Sequence, residues 1–507
     1  MTNPVSPSPA AAATISVPSV LAGVTLVILL GALEQTIVAV ALPAIATQLH
    51  GFSLMAWVVS AYLVASTVVT PIYGKLSDIY GRRATLTSAV LIFLIASVGC
   101  ALAETMPQLI AWRVLQGIGG GGLISVAQAT IADVVPLRER GRYQGYISSI
   151  WAVASLGGPV IGGYLTNYLS WHWIFWINLP IGLVALAVIR RALRSLPAGH
   201  ARREIDYVGA LLFAVGLTAL LIAITRVGQG VSFADTTNIA LLIGSAVVLA
   251  WFGWYEKRIA EPIIPLGMFR NRTVAICCAT LFLAFFQMIS MSVLLPLRLQ
   301  LTGGVAPDAA ALRLLPLTLA VPLGAFLAGR LMTGTGRYKP LQIGGAIATS
   351  IAIICLAFTE SHHAWLMGTV MCVLGLGIGF QLPTGLVATQ NAVPPSEVGL
   401  ATALTAFSRM LGGAVGVAVL TSILIAFLRD ALPETNTIGV EMLMDLFHSV
   451  NASVLDAHGA QVREAASSAF RNLFIICAAI SLLSPLLASM LREQELRGKV
   501  QSVAPTK

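Results

Sequence analysis

The segment GKLSDIYGRR, residues 74–83, joins two long apolar runs and thereby decides the fold class. The runs on either side, 53–73 and 84–103, are each about 20 residues long, which suffices for a helix to cross the hydrocarbon core of a bilayer. Gly74 and Gly81 permit a tight loop and a close approach of helices. So short a connection forces its two helices to lie antiparallel, as consecutive membrane passes do.

The same segment concentrates charge around a single acid. Asp78 lies among Lys75, Arg82 and Arg83, so its carboxylate can pair locally or cap the N-terminus of a neighbouring helix. The alternative is that the arginines only follow the rule that cytoplasmic loops are basic. Physical reasoning alone favours neither interpretation.

Composition extends the membrane interpretation to the whole chain. Of its 507 residues, 57% are hydrophobic and 10% are charged, whereas soluble domains carry about 25% charged residues. The sequence therefore predicts an all-α polytopic membrane protein. Fourteen apolar runs are long enough to span: 20–45, 53–73, 84–103, 107–131, 144–166, 173–190, 207–226, 237–255, 273–299, 308–331, 341–358, 364–388, 400–428 and 468–490.

The distribution of Lys and Arg predicts the orientation. If the N-terminus is cytoplasmic, 22 of the 30 basic residues fall on the cytoplasmic side and six on the opposite side. The remaining two, Arg113 and Arg409, lie inside apolar runs. This bias predicts that both termini are cytoplasmic. The net charge of +9 is spread over short loops, which favours membrane orientation over nucleic-acid binding.

The polar segments divide the chain into two groups of six helices separated by two further helices. We expect a disordered N-terminal tail, an N-terminal six-helix bundle, a linker with two inserted helices, a C-terminal six-helix bundle with an extracellular segment, and a cytoplasmic tail. The extracellular segment is expected to be a hairpin, an amphipathic helix or a solvated linker. The boundaries are 1–19, 20–190, 191–272, 273–490 (the extracellular segment being 429–467) and 491–507.

One acid stands out by its depth in the membrane. Glu34 is the only acidic residue well inside any of the fourteen runs. Intramembrane charge is costly, so such a group is a candidate functional site, here for binding and releasing a proton. The alternative is a structural partner of one arginine. Arg113, followed one turn later by Gln116, enters the membrane in the fourth run and needs such a partner.

Two glycine-rich stretches predict close helix packing rather than nucleotide chemistry. Glycines crowd 117–122 in the fourth run, and Gly158-Pro159 with Gly162-Gly163 combine small residues with a missing amide in the fifth. The sequence contains no G-x-x-x-x-G-K-[ST], so the energy source is expected to be an ion gradient or a partner protein.

Catalytic and metal-binding constellations are missing from the sequence. Its seven histidines lie in or near loops outside any H-E-x-x-H or G-x-S-x-G context, and its six cysteines have no metal-ligand spacing. We therefore expect a transporter rather than an enzyme, with no metal and no cofactor other than a proton gradient.

Taken together, these motifs resemble the major facilitator superfamily, specifically its fourteen-helix drug:proton antiporters. Residues 74–83 match the signature G-x-L-[AS]-D-x-x-G-R-[RK], and AVASLGGPVIGGYL, 152–165, matches the antiporter signature G-x-x-x-G-P-x-x-G-G except at Ala154. LEQTIVAVALP, 33–43, is similar to the helix 1 signature, with Glu34 where Asp is usual. WHWIFWINLPIG, 171–182, and EPIIPLGMFRNR, 261–272, are typical of the subgroup.

The resemblance implies two six-helix bundles around a central cavity, with alternating access by rocking of the bundles. It assigns proton coupling to Glu34 and Arg113, conformational switching to the segment 74–83, and the antiporter motif to Gly158, Pro159, Gly162 and Gly163. The residues expected to line the substrate cavity are Tyr62, Gln116, Trp151, Phe286, Gln287 and Gln381.

The implied function is proton-coupled export of amphipathic, often cationic, drugs or toxic compounds across the cell's inner membrane. The alternative is a dedicated exporter of one natural metabolite, such as an antibiotic, a siderophore or an amino acid. Expected partners are these substrates, protons and the lipid bilayer, without nucleic acid. A monomer is the expected assembly, and the use of a periplasmic adaptor and an outer-membrane protein stays open.

Overall fold

A computed structural model describes residues 17–51, 54–195, 206–228, 231–259, 262–264, 266–305, 307–359, 363–431 and 452–494. Throughout these residues the regular structure is helical, without strands. The α-helices are α1 (Val17–Gln48), α2 (Met55–Tyr80), α3 (Arg82–Ala101), α4 (Met106–Val134), α5 (Leu137–Tyr168), α6 (Trp173–Trp176), α7 (Asn178–Ala192), α8 (Tyr207–Gly228), α9 (Thr236–Glu256), α10 (Arg272–Gly303), α11 (Pro307–Arg313), α12 (Leu315–Thr335), α13 (Lys339–Phe358), α14 (Ala364–Asn391), α15 (Val398–Ala431), α16 (Ala452–Ser481) and α17 (Leu483–Ser489).

The predicted multi-pass architecture is confirmed. Within the described residues, 13 helical segments are long and apolar enough to cross a membrane, with α6 and α7 forming one of them and α16 and α17 another. The fourteenth pass is α5, which is 32 residues long and begins with the polar sequence LRERGRY. At 32 residues α5 is long enough to cross a membrane, and it is distinguished from the others by its composition, because glycine and polar residues recur along its whole length.

Proline explains where passes are broken into two helices. The interruptions at Ile177, Leu314 and Leu482 come two or three residues before Pro180, Pro316 and Pro485, in the first turn of α7, α12 and α17. A proline lacks the amide donor of an interior helical residue but is tolerated in a first turn. The chain therefore restarts a helix at each of these positions without reversing direction.

Consecutive passes run antiparallel, so each loop lies at one of two ends of the bundle. We call the end at which Gly81 joins α2 to α3 the Gly81 end, and the end at which Leu102 follows α3 the Leu102 end. Gly81 has φ 84°, a backbone conformation that favours glycine. The first pass, α1, begins at the Gly81 end. Because the number of passes is even, the last pass also ends there, where Tyr338 Oη donates a hydrogen bond to the Arg492 carbonyl at 2.9 Å.

Two sets of helices form separate apolar cores. One core joins α1 to α7, with Leu30, Phe93 and Leu123 among its fully buried side chains. Another joins α10 to α16, with Leu294, Leu374 and Phe474 among its fully buried side chains. The hairpin of α8 and α9 packs where α2 meets α15. Its Phe213 ring contacts the Phe407 ring of α15, with 5.8 Å between the ring centres.

The two halves are closed against each other at the Gly81 end. A Cβ atom on Gly74 of α2 would lie 2.5 Å from the Cβ of Ala403 on α15. On the other side of the bundle, a Cβ on Gly141 of α5 would lie 2.8 Å from the Gly329 carbonyl oxygen of α12. These backbone approaches, which only small residues permit, hold the halves together at that end.

Several sequence predictions fall partly outside the described residues. These are positions 1–16 of the expected tail, 432–451 of the expected extracellular segment and 495–507 of the expected C-terminal tail. Where residues 429–467 are described, they are helical, because α15 continues to Ala431 and α16 begins at Ala452.

Candidate functional site

Glu34 lies at the centre of a polar network inside the N-terminal half. Its Oε1 accepts a hydrogen bond from Arg113 Nη1, forming an ion pair whose two side chains are each 1% exposed. Its Oε2 accepts from Asn178 Nδ2 at 2.6 Å. The carboxylate thus has a cation on one oxygen and an amide donor on the other.

Arg113 is held from several directions. Its Nε donates to the Val58 carbonyl at 2.9 Å, and its Nη1 donates to Gln116 Oε1 at 2.6 Å. The guanidinium carbon lies 4.5 Å from the centre of the Tyr62 ring, in cation–π geometry. Gln116 Nε2 in turn donates to Ser97 Oγ at 2.9 Å. The network therefore joins α1, α2, α3, α4 and α7 around one carboxylate.

The C-terminal half carries a comparable network without a charge. Gln381 Nε2 donates to Thr349 Oγ1 at 3.1 Å, and Gln381 Oε1 accepts from Ser484 Oγ at 2.9 Å. Gln342 Nε2 donates to Thr280 Oγ1 at 3.0 Å. Only amides and hydroxyls take part, so this half has no group in the network that can exchange a proton near neutral pH.

Two other described acids are buried, but at the edge of the bundle. Asp206 Oδ1 accepts from the Gly209 amide at 2.8 Å, and Glu256 Oε1 accepts from the Ile263 amide at 3.1 Å. Both lie at the Gly81 end of the α8–α9 hairpin. Their contacts with backbone amides organise the ends of that hairpin, whereas Glu34 lies in the middle of α1.

A cavity of about 350 Å³ lies between the two halves, on the Leu102 side of their closed end. Its apolar lining includes Ile147, Trp151, Phe285, Met288 and Met410. Its polar lining consists of amides, hydroxyls and one arginine: Gln35, Gln128, Gln144, Ser148, Ser155, Ser292, Thr318 and Arg409. The volume lies in the range of small-molecule sites and the lining is mostly apolar, as suits an amphipathic molecule.

The structure separates the predicted cavity residues. Trp151 lines the cavity, and Gln35 lines it although its neighbour Glu34 does not, because successive residues of a helix point about 100° apart. The other predicted residues are buried within one half or the other. Tyr62 and Gln116 belong to the Glu34 network, Gln381 belongs to the uncharged network, and Phe286 and Gln287 are buried on α10.

The segment 74–83 links the two halves. Asp78 Oδ2 accepts a hydrogen bond from the Leu400 amide at 3.0 Å, at the N-terminus of α15, and its Oδ1 pairs with Arg82 Nη1 at 2.6 Å. Arg82 Nε also pairs with Asp133 of α4 at 2.7 Å. Arg83 is exposed. The anion therefore lies at the positive end of a helix of the opposite half.

The glycine motif of α5 packs against α1. A Cβ on Gly158 would lie 2.1 Å from Thr36 Oγ1, and a Cβ on Gly162 would lie 3.0 Å from the Ile37 carbonyl oxygen. Pro159 is exposed, and a Cβ on Gly163 would meet nothing closer than 3.9 Å. Two of the four motif residues thus set the distance between α1, which carries Glu34, and α5.

Comparison with known proteins agrees with this architecture. Residues 24–417 match the sequence profile of the Major Facilitator Superfamily. The chain belongs to that superfamily. Multidrug resistance protein 3 of Bacillus subtilis is 34% identical over 403 residues, which cover 79% of this chain and 78% of that protein. An uncharacterised MFS-type transporter of Mycobacterium tuberculosis is 34% identical over 476 residues, covering 92% of this chain and 68% of the relative.

The fold of this superfamily member also matches a solved structure. The proton:xylose symporter XylE aligns with a TM-score of 0.60 at 16% identity, over 95% of this chain and 97% of the other. At that identity the match shows the fold alone. The predicted superfamily and fold class are confirmed, and the chain is a multi-pass transporter rather than an enzyme.

Sequence reasoning missed four residues of this transporter's site. Asn178 and Ser97 complete the Glu34 network, and Gln128 and Arg409 line the cavity. The available signal was polarity within an apolar run, since each interrupts such a run. Assigning each one to the network or to the cavity required the packing of helices distant in sequence.

Proposed function

We propose that this protein exports amphipathic organic compounds across the cytoplasmic membrane in exchange for protons. The observation that carries the proposal is the buried pair of Glu34 and Arg113. A carboxylate in mid-membrane with a cation and an amide as its only described hydrogen-bonding partners can alternate between an ionised, paired form and a protonated form. Relatives named as a multidrug resistance protein, a multidrug transporter and an efflux pump support export as the direction.

The closed end supports alternating access as the mechanism. Asp78 bonds the Leu400 amide of the other half only while the Gly81 end is closed. Opening that end must break this bond, so the cycle has two discrete arrangements. The excess of basic residues at the Gly81 end supports a cytoplasmic position for it, and hence cytoplasmic termini.

In this proposal, α1 and α5 couple the protonation of Glu34 to the opening of the Gly81 end. Protonation of Glu34 removes one charge of its pair with Arg113, which changes the interactions between α1 and α4. The contact of Gly158 with Thr36 transmits a shift of α1 to α5, whose other face contacts α12 of the opposite half. The coupling is thus carried by packed helices that share the cavity.

The predicted preference for cationic cargo depends on Glu34 as the counter-charge. In this closed arrangement Glu34 is 1% exposed and is not one of the residues lining the cavity. A cation would bind there only after Glu34 exchanged Arg113 for the cargo. Export of one natural metabolite remains the alternative, and the breadth of transported compounds distinguishes it from multidrug export.

Transport by inside-out membrane vesicles tests the proposal. Respiring vesicles are expected to accumulate several unrelated amphipathic dyes, and nigericin with valinomycin is expected to abolish accumulation by collapsing both gradients. These ionophores are preferable to weak-acid uncouplers, because an amphipathic acid could itself be cargo. Glu34→Gln should abolish accumulation, whereas Glu104→Gln, at an exposed acid in the α3–α4 turn, should not. ATP-driven accumulation in de-energised vesicles would refute proton coupling.

A further inference from the structure

The charge of the cavity does not match a cationic cargo. Of the described residues that line it, Arg409 alone carries an ionised side chain, and it is positive. The remaining polar groups are amides and hydroxyls, such as Gln35, Gln144 and Ser148. A bound cation would therefore meet a like charge in a mostly apolar space, where such repulsion is poorly screened.

Arg409 is half-buried and makes fewer hydrogen bonds than the buried arginines. Arg82 and Arg113 each pair with a carboxylate, and Arg140 and Arg298 each donate to backbone carbonyls. Arg409 Nη2 instead donates to Gln128 Oε1 at 3.3 Å, and its guanidinium lies 5.5 Å from the centre of the Phe285 ring. Among the described residues, no acidic side chain forms an ion pair with it.

The unused donors of Arg409 suit a counter-charge. A guanidinium presents five N–H donors in a planar fork that suits a carboxylate, and the described contacts of Arg409 occupy one of them. Intramembrane arginines face a water-filled cavity, pair with acidic groups or donate to backbone carbonyls, because an isolated charge is costly there. The cavity offers space for an anion beside the guanidinium and apolar surface at Trp151 and Met288 for the rest of the molecule.

We propose that this cavity binds amphipathic organic monoanions, an apolar ring or chain bearing one carboxylate, with Arg409 as the counter-charge. The proposal rests on the proposed export function and names its substrate class. Gln128 belongs to α4 and Arg409 to α15, so an anion bound between them contacts both halves. Binding would thereby favour one relative position of the halves over another, as transport requires.

The proposal changes the electrical balance of the cycle. One proton entering for one monoanion leaving carries two positive charges inward, whereas exchange of a proton for a monocation carries none. A potential of 100 mV is worth about 2.3 kcal/mol per charge, or roughly a 50-fold concentration ratio. Anion export by this route should therefore respond to membrane potential alone, even without a pH gradient.

Equilibrium binding to the purified full-length protein tests the counter-charge with three matched probes: 2-naphthoate, neutral 2-naphthamide and the 2-naphthylmethylammonium cation. Wild-type protein should bind naphthoate most tightly. Arg409→Gln should weaken naphthoate binding about 10- to 100-fold, as expected for a lost charge-assisted interaction, and leave naphthamide binding unchanged. Arg409→Lys should retain part of the preference, because it keeps the charge without the planar fork.

The control is Arg330→Gln, because Arg330 also lies over a phenylalanine ring, Phe326, but is exposed on α12 outside the cavity. Its naphthoate affinity should equal that of wild type. Retained naphthamide binding shows that Arg409→Gln folds. If naphthamide binding is lost in Arg409→Gln, the proposal is tested by whether Arg409→Lys keeps part of the preference for naphthoate. Tighter binding of the cation than of naphthoate, no naphthoate binding by wild type, or unchanged affinity in Arg409→Gln would each overturn the proposal.

Transport in proteoliposomes separates this proposal from the broader one. Naphthoate export that is driven by a potassium diffusion potential and accompanied by inward proton movement supports both. Proton-coupled export of the cation but not of naphthoate would overturn the anion proposal and leave proton-coupled export standing. Naphthoate export without proton movement would refute the proposed antiport while supporting Arg409 as the anion site.

Discussion

Removing the charge of Asp78 should open the Gly81 end. Asp78→Asn keeps an oxygen that can accept from the Leu400 amide, but it removes the anion from the N-terminus of α15. Arg82 keeps its pair with Asp133, so no buried cation is left unpaired. The substitution therefore weakens the contact between the halves and, within one half, the pair of Asp78 with Arg82.

The expected magnitude follows from that contact. A charge-assisted hydrogen bond contributes about 1.5–3 kcal/mol, and an anion at a partly buried helix N-terminus up to about 2 kcal/mol. Because the neutral hydrogen bond survives, we expect a loss of about 1.5–2 kcal/mol from the closed arrangement. The ratio of open to closed protein should then rise about 10- to 30-fold.

Distance measurements between spin labels can detect this shift. Labels at Tyr80 and Ser396, two exposed positions on opposite halves at the Gly81 end, would be placed in a variant whose Cys355 and Cys372 are replaced by serine. Asp78→Asn should increase the long-distance population while the affinity for bound cargo changes little.

Asp235→Asn provides a matched control. Asp235 also caps a helix and pairs with an arginine, Arg226 at 3.2 Å, but both lie within the α8–α9 hairpin. The Asn238 amide and Arg226 lower the pKa of Asp235, so it is ionised at neutral pH as Asp78 must be for this role. Equal shifts in the two variants, or an unchanged distance distribution in Asp78→Asn, would refute the assigned role.

Three further substitutions test how the helices pack. Gly158→Val should abolish export by vesicles because its side chain would collide with Thr36, whereas Gly163→Ala should retain export. Full activity of Gly158→Val would show that close packing at this motif is not needed for transport. Gly141→Leu should hold the Gly81 end open, since a Cβ there already lies 2.6 Å from Met332 Cε, and unchanged label distances would contradict this. Phe213→Ala should lower the unfolding temperature by several degrees through the loss of its buried contacts. Leu211→Ala, at a position 64% exposed, should not, and equal effects would argue against docking of the hairpin through Phe213.

The passes were predictable because a bilayer imposes a length on each apolar run. The predicted run 84–103 corresponds to α3, Arg82–Ala101, and 341–358 corresponds to α13, Lys339–Phe358. Helix extensions into polar sequence were missed, as at the start of α5, because hydropathy records the membrane boundary and not the helix end. The break at Leu314 was missed for another reason: hydropathy does not register the missing amide of Pro316.

The site was predictable in part. The cost of intramembrane charge identified Glu34 and Arg113, and the structure brings them together. The same argument noted Arg409 as intramembrane but gave it no role, because only the folded chain reveals that it faces a cavity without a carboxylate. Tyr62 and Gln381 were expected in the cavity from the family resemblance, which does not specify the face of the helix on which a residue of this chain lies.

The central claim is that cargo leaves in exchange for protons through Glu34. The most direct test loads proteoliposomes with the pH indicator pyranine and imposes a gradient of a transported compound at zero membrane potential. Wild-type protein should move protons against the direction of the cargo, and Glu34→Gln should move none, while Glu104→Gln behaves as wild type. Cargo movement by wild-type protein without proton movement, or proton-coupled transport by Glu34→Gln, would contradict the account.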